Sequence, residues 1–568
     1  MRSFFIAVLF AVVSATTFAQ NPALGEWYGV VNTPQGAFTL VVRITDTNGT
    51  FVGSLEALEQ APGQMIPLAA VQADNSSLSF SVPAIGASYQ GEWSASADRW
   101  TGIFTQQIQF PLELQRGTPP GLAIIEGMDG DWHGILKRNE VDLRLVLHVK
   151  TDARGTLVTF DSPDLSSFGL PVAGFRRAGS AVSFSVPAGQ SQFNGSVAED
   201  GAAMTGAWTR QGQEDVTVQF IRANPSAMPQ AQARPQLPQP PFNYHVEEIV
   251  FENSQADGVT LAGTLTVPHG KGPFPAAVLI SGSGAQDRDE TLFGHKPFAV
   301  LADHLTRNGV VVLRYDDRGF AESTGDHDTA TSADFATDAN AALHYLTQRV
   351  EIDQDAIGFI GHSEGAMIAP LAAIESDHIA YIIMLAGPGT STRQLIETQR
   401  RLLGVSTGVT IAELDGGEPV VQAINDAVIA STDQTDAEAR VRAVLTPNAL
   451  AALGVPFDQL ELRVQLYTRA WNRYFLKYDP RPVLAQLKMP VLALNGTLDL
   501  QVPADENLTA IMAALSTNSD ATAIKLEGLN HLFQTAPTGA LGEYPDITET
   551  FAPAALDAII DWVSARFF

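Results

Sequence analysis

The chain has 568 residues, more than a single hydrophobic core ordinarily organises, so several domains are expected. Apolar residues make up 45% of it and the formal net charge is −28, so it can form packed cores and should repel nucleic acid and anionic membrane surfaces. It contains no cysteine, which excludes disulfides, thiolate metal sites, a cysteine nucleophile and a lipid-modified cysteine.

Met1-Arg2-Ser3 is a short basic cap on an apolar run over 4–13, and Thr17-Phe18-Ala19 places small residues where a signal peptidase reads. Residues 1–19 are therefore expected to be a secretory signal, too short for a membrane span, and the mature protein to be exported, periplasmic or extracellular. No later run is long enough to cross a bilayer.

Residues 20–117 alternate apolar and polar positions with frequent turns, the pattern of an all-β domain. Residues 118–222 repeat it. Gly25-Glu26-Trp27-Tyr28-Gly29 returns 105 residues later as Gly130-Asp131-Trp132-His133-Gly134. Ser79-Phe80-Ser81-Val82-Pro83-Ala84 returns intact, 104 residues later, as Ser183-Phe184-Ser185-Val186-Pro187-Ala188. This is a duplicated β region of about eight short strands per copy, two small barrels or sandwiches or one larger closed unit. Trp27 and Trp132 are expected to plug the ends of the two copies. No titratable cluster marks a chemical site here; a carbohydrate or surface ligand is the partner such repeats suggest.

Six prolines interleaved with Gln and Ala mark 223–243 as a semi-extended spacer. From 244 to 568 short apolar strands alternate with helical patterns, which predicts an α/β domain built on a doubly wound, mostly parallel sheet. Within it 260–267 reads as an edge strand, 276–281 as a central one, and 332–349 as an amphipathic helix. Helical segments over about 391–484 break the rhythm, and an insertion there sits where a cap over a ligand site belongs. Its Trp471, Tyr474, Phe475 and Tyr478 either face the pocket or dock the insertion on the sheet.

The chemistry concentrates at Gly361-His362-Ser363-Glu364-Gly365, between an apolar strand and an Ala-rich helix. A serine on so sharp a turn is exposed at the strand end, with glycines relieving the crowding: a nucleophile elbow. A serine hydroxyl needs a base, and the base needs an acid to hold its tautomer. On such folds the order is Ser, Asp or Glu, then His. Asp499, in the turn after an apolar strand, is the favoured acid over Asp505, which falls in the next helix. His531 is the only histidine after Asp499 and lies in a loop at a strand end, so Ser363, Asp499 and His531 are the expected catalytic residues. His362, beside the nucleophile on a tight turn, is expected to be structural. The oxyanion donors are expected to be the backbone N–H groups of Glu364 and of Ser283, with Gly284 as alternative, in the glycine-rich loop Ser281-Gly282-Ser283-Gly284. Gly284 and Trp471 are the candidate substrate contacts, and no metal ligand set is read.

The 281–290 loop, Tyr315-Asp316-Asp317-Arg318-Gly319, the elbow and the 495–503 segment together resemble the EstD-type bacterial carboxylesterases of the α/β-hydrolase superfamily. The resemblance covers about 244–568 and implies hydrolysis of short-to-medium acyl esters without a cofactor, with Ser363, Asp499 and His531 as nucleophile, acid and base. Ala366 departs from it, standing where many relatives carry a second glycine. Asp317 and Arg318 would brace the site by analogy; an ion pair at a strand end is the favoured reading. A small-molecule ester is the implied substrate. A serine aminopeptidase of the same fold is the alternative, and a non-catalytic β-domain binding protein a third.

Overall fold

The computed structural model describes residues 21–568, apart from 34–35, 48–49, 59–64, 107, 118, 120–123, 139–140, 153–154, 166, 187–188, 190, 211–214, 224–233, 454 and 456–459. The segment read as a secretory signal, 1–19, lies outside the described residues. Among those residues no helix is long and apolar enough to cross a membrane.

The β region consists of two nine-stranded sheets with identical strand order. Each is an antiparallel meander rolled into a barrel-like sheet, because its first strand also pairs with its last. Trp27 lies opposite Arg116 in the first copy and Trp132 opposite Arg222 in the second. Alternation dictates this shape: apolar side chains at every second position fill one interior per copy. Trp27 and Trp132 are fully buried. Each indole N–H donates to the carbonyl four residues upstream, Ala23 or Met128, at 2.8 Å. The Arg116 and Arg222 guanidinium groups lie 4.1 and 4.6 Å from the two ring centroids.

The duplication also repeats an ion cluster with its chemistry changed. In the first copy Arg43 bridges Glu26 at 2.6 Å and Glu56 at 3.2 Å. In the second His148 bridges Asp131 at 2.7 Å and Asp161 at 2.9 Å. The Asp161 hydrogen bond, with Asp131 assisting against the cost of burial, lifts the imidazole from 6.5 to about 9. Its folded value is thus raised above the unfolded one. The stabilisation is complete below about pH 6.5 and is lost as pH climbs through about 9. The ring is more than a third exposed, so screening limits the loss to about 1 kcal/mol. Urea unfolding midpoints at pH 6 and 9.5 are expected to show it, and His148→Arg, which restores the first copy's cation, to remove the histidine's share of the pH dependence. A midpoint difference unchanged in His148→Arg would refute the assignment.

The expected spacer is not free along its whole length. Arg234 donates to the carbonyls of Phe293 and Pro545, both at 2.8 Å, and to that of Ile547. The Gln236 amide exchanges hydrogen bonds with the Phe551 backbone at 2.7 and 3.0 Å. Proline leaves a chain short of donors; the interleaved Arg and Gln supply them and fasten this end of the spacer to the C-terminal unit.

That unit is built on an eight-stranded sheet. Tyr244–Glu252 is the edge and pairs antiparallel with Thr260–Pro268, which pairs antiparallel with Val311–Tyr315. The other strands, Phe274–Ile280, Ile352–His362, Tyr381–Leu385, Val491–Gly496 and Ala521–Leu526, run parallel. The sequence expectation put 260–267 at the edge. Covered by the outer hairpin partner, it is buried almost throughout. Helices Ser332–Thr347, Gly365–Ala373 and Ala504–Ala514 pack on one face through residues such as Leu343, Ile368 and Ile511. Pro297–Arg307 and Pro553–Phe567 pack on the other through Leu301, Leu305 and Ile559. Between the Tyr381–Leu385 and Val491–Gly496 strands the chain leaves the sheet, from helix Thr392–Ser406 to helix Arg481–Leu484. This insertion has its own core, around Ile424, Val428 and Val441, and its Leu466 packs on the core of the first β copy.

Candidate active site

The buried strand Ile352–His362 runs straight into helix Gly365–Ala373. Ser363, between them, is held at φ 53°, a region that residues with a Cβ rarely occupy. Its N–H is anchored on the Leu385 carbonyl of the next strand at 2.8 Å. The flanking glycines are steric necessities. A Cβ on Gly365 would lie 2.6 Å from the Ser281 carbonyl oxygen and closer still to that of Ile280; one on Gly361 would strike the Gly365 carbonyl. Ala366 is tolerated because Gly387 faces its methyl group.

Asp499 sits in the turn after Val491–Gly496. Its Oδ1 accepts from the Gln501 and Val502 N–H groups, both at 2.8 Å, and its Oδ2 faces His531 Nδ1 at 2.8 Å. Both side chains are buried. A carboxylate only accepts, so Nδ1 carries the proton and Nε2 presents its lone pair. The histidine loop is shaped by Asn530, whose Oδ1 accepts from the Leu532 and Gln534 N–H groups at 3.0 and 2.9 Å. Asp505 is exposed and pairs with Lys525. Ser363 and His531 line one cavity of about 510 Å³, with Ser283, Glu364 and Trp471. No hydrogen bond joins Ser363 Oγ to the His531 ring among the described residues; such bonds are often long without substrate.

Two backbone donors converge on this cavity. Among the described residues the N–H groups of Ser283 and Glu364 have no intramolecular acceptor. A Cβ on Gly282 would touch the Ser363 Cβ at 3.3 Å, which shows how closely the 281–284 loop passes Ser363. Gly284 is not among the residues lining the cavity. At φ 92° it turns the loop away.

His362 is structural, as expected, but its partners, the bracing role of Glu290 and the side-chain contacts of Glu364 were not foreseen. His362 is buried between Glu290 Oε1, 2.9 Å from Nδ1, and the His531 carbonyl, 2.9 Å from Nε2. Both partners accept, so the ring donates from both nitrogens. Burial opposes that charge, yet Glu290 and the two hydrogen bonds raise the imidazole above its ordinary value. Glu290 also accepts from the Gly282 N–H at 2.7 Å, so one carboxylate braces both the loop and the ring that holds the His531 backbone. The buried Glu364 carboxyl accepts from Ser332 Oγ at 2.6 Å and Trp471 Nε1 at 2.8 Å. Burial raises its pKa, while Ser332, Ser283 and Trp471 pull the other way. Trp471 therefore does both things the sequence allowed: it lines the cavity, stacked on Phe475 at 4.7 Å, and it docks the insertion on the elbow.

Asp317 and Arg318 do not form one ion pair. Arg318 pairs with Asp338 at 2.7 Å. Asp317, its carboxyl pushed well up by burial, accepts from Ser281 Oγ at 2.7 Å and the Gln286 N–H at 2.8 Å. It braces the glycine-rich loop. The ion-pair reading fits Arg318 alone.

Residues 257–532 match the family described as X-Pro dipeptidyl-peptidase (S15 family). Esterase EstD of Thermotoga maritima is 28% identical over 291 residues, a stretch covering 51% of this chain and 61% of EstD. Rv2307c, an uncharacterized protein of Mycobacterium tuberculosis, is 30% identical over 148 residues, 26% of this chain and 47% of that one. The chain thus spans less than two thirds of the length of these curated relatives. Among solved structures, the Pyrococcus furiosus esterase Pf2001 matches at a TM-score of 0.36 and 15% identity, over 58% of this chain and 92% of that one.

Proposed function

We propose that this chain, whose C-terminal unit is an α/β-hydrolase of the EstD type, is a serine carboxylesterase acting on short-to-medium acyl esters. The observation that carries the reading is the buried Asp499–His531 pair at the wall of the cavity that Ser363 enters from its elbow. Ser363 Oγ attacks the acyl carbonyl while His531 Nε2 takes its proton, and Asp499 holds the ring and stabilises the imidazolium. The Ser283 and Glu364 N–H groups receive the developing oxyanion; one such donor is worth about 2.7–4 kcal/mol. His531 returns the proton to the departing alcohol. Water, deprotonated by the same nitrogen, then releases the acid and frees Ser363. The 391–484 insertion acts as a cap: Leu395, Ile396, Trp471 and Phe475 line the cavity and give the acyl chain an apolar wall. The first 19 residues act as an export signal, with two β domains, 20–117 and 118–222, and a linker, 223–243, ahead of the hydrolase unit.

A peptidase with the same three residues is the rival. An aminopeptidase must bind a substrate ammonium group, and the carboxylates lining the cavity are committed elsewhere, Glu290 to His362 and Gly282, Glu364 to Ser332 and Trp471. Turnover of p-nitrophenyl acetate and butyrate, with aminoacyl-nitroanilides at least about 100-fold slower in kcat/KM, is the expected outcome; the charged amine of the latter has no counterion here. Cleavage of the anilides alone would overturn the esterase reading.

A further inference from the structure

A second cavity, of about 750 Å³, opens between the first β copy and the hydrolase unit. It is larger than the 510 Å³ cavity at Ser363 and within the size range of small-molecule sites. The two share a wall. Ser283 and Gln286 face the nucleophile cavity, while Ala285 between them lines the second one.

The β wall is a row of hydroxyls. Ser81 lies opposite Ser88 and Ser88 opposite Thr105 on three adjacent strands, and all three line the cleft. Neighbouring strands stand about 4.8 Å apart, so the row presents hydroxyls at regular short steps. The second β copy is an internal control. The same row there reads Ser185, Gln192 and Thr209, with a long Gln where the first copy has Ser88. A second difference is backbone strain. Ala70 lines the cleft at φ 48°, whereas Gly174 occupies the matching place in the second copy at φ 62°. The first copy keeps a methyl group where glycine would be unstrained, and it does so at the cleft.

The facing hydrolase wall offers Phe320 and the carboxylates Asp326 and Asp328. Among the described residues no Lys or Arg lines the cleft, and burial, with the Arg469 charge nearby, holds the His327 ring neutral, down at about 4. With Asp326 and Asp328 in its wall and no cation among its described lining residues, the cleft favours neutral ligands over anions. Hydroxyls, carboxylate acceptors and one aromatic face are what a neutral, polyhydroxylated ligand requires.

We propose that this cleft binds the saccharide portion of an acylated carbohydrate whose acyl group enters the cavity at Ser363, the sugar crossing the 283–286 loop. The first β copy is then half of the substrate site. The proposal rests on the esterase reading for its acyl half only.

Full-length protein is assayed with acetylated xylotetraose, acetylated cellotetraose and p-nitrophenyl acetate, as wild type and as Ser88→Gln, which installs the side chain the second copy carries in the same register. KM for at least one acetylated oligosaccharide is expected to rise about tenfold or more in Ser88→Gln, with kcat/KM for p-nitrophenyl acetate unchanged. Calorimetric titration of wild type with the unacetylated tetraoses is expected to show binding that Ser88→Gln weakens. Unchanged KM for both acetylated oligosaccharides, with no binding of the free tetraoses, overturns the proposal while p-nitrophenyl acetate turnover leaves the esterase reading standing. Tetraose binding without turnover of any ester refutes the esterase reading and leaves the cleft a sugar site.

Discussion

Asp499→Asn is expected to lower kcat on p-nitrophenyl acetate by about 10⁴-fold while leaving the protein folded. Asparagine fills the same space, and its amide oxygen can still accept from the Gln501 and Val502 N–H groups that shape the turn. Its NH2 group then faces His531 Nδ1 and donates to it. That forces the ring proton onto Nε2, the nitrogen that must accept from Ser363, so the base is lost without loss of packing. Asp505→Asn, at an exposed helix position paired with Lys525, should change kcat less than twofold. Active-site titration with a fluorophosphonate, absent in Ser363→Ala, normalises the rates. A tenfold or smaller effect of Asp499→Asn would mean that another group orients the base.

Gly365→Ala is expected to cost about 3 kcal/mol or more of stability and at least about 100-fold in turnover. The added methyl meets the main-chain carbonyls of Ile280 and Ser281. The Ile280 carbonyl cannot retreat, because Phe274–Ile280 is an interior strand hydrogen-bonded on both sides, and Ser281 follows it directly. The elbow must move instead, and with it Ser363 and the Glu364 N–H. Gly284→Ala is the comparison: open space surrounds the position, so only its φ of 92° opposes a side chain, at a cost of about 1 kcal/mol. Urea midpoints and turnover of both variants decide the matter. A fully stable, active Gly365→Ala enzyme would show that the strand–turn–helix junction yields more easily than its packing implies.

The contrast between these groups marks what local pattern can reveal. The strand-end placement of Ser363, Asp499 and His531 was legible because each follows a short apolar strand, in a chain order that parallel topology imposes, and a side chain at such a strand end has one direction to point. The duplication was legible as repeated text, and its buried tryptophans followed from alternation. Thr260–Pro268 was misplaced at the edge because burial by an outer strand leaves no mark on period-two patterning.

Only the tertiary structure decided the second set: the bond from Trp471 to Glu364 across 107 residues, the bond from His362 to the His531 carbonyl across 169, and the fastening of Arg234 to the far end of the C-terminal unit. Each depends on which polar groups are buried side by side once the sheet closes. A glutamate after a nucleophile reads the same in sequence whether it faces solvent or a buried indole. Covalent neighbours fix a residue's backbone, whereas its electrostatic partners come from chain segments that only packing brings together.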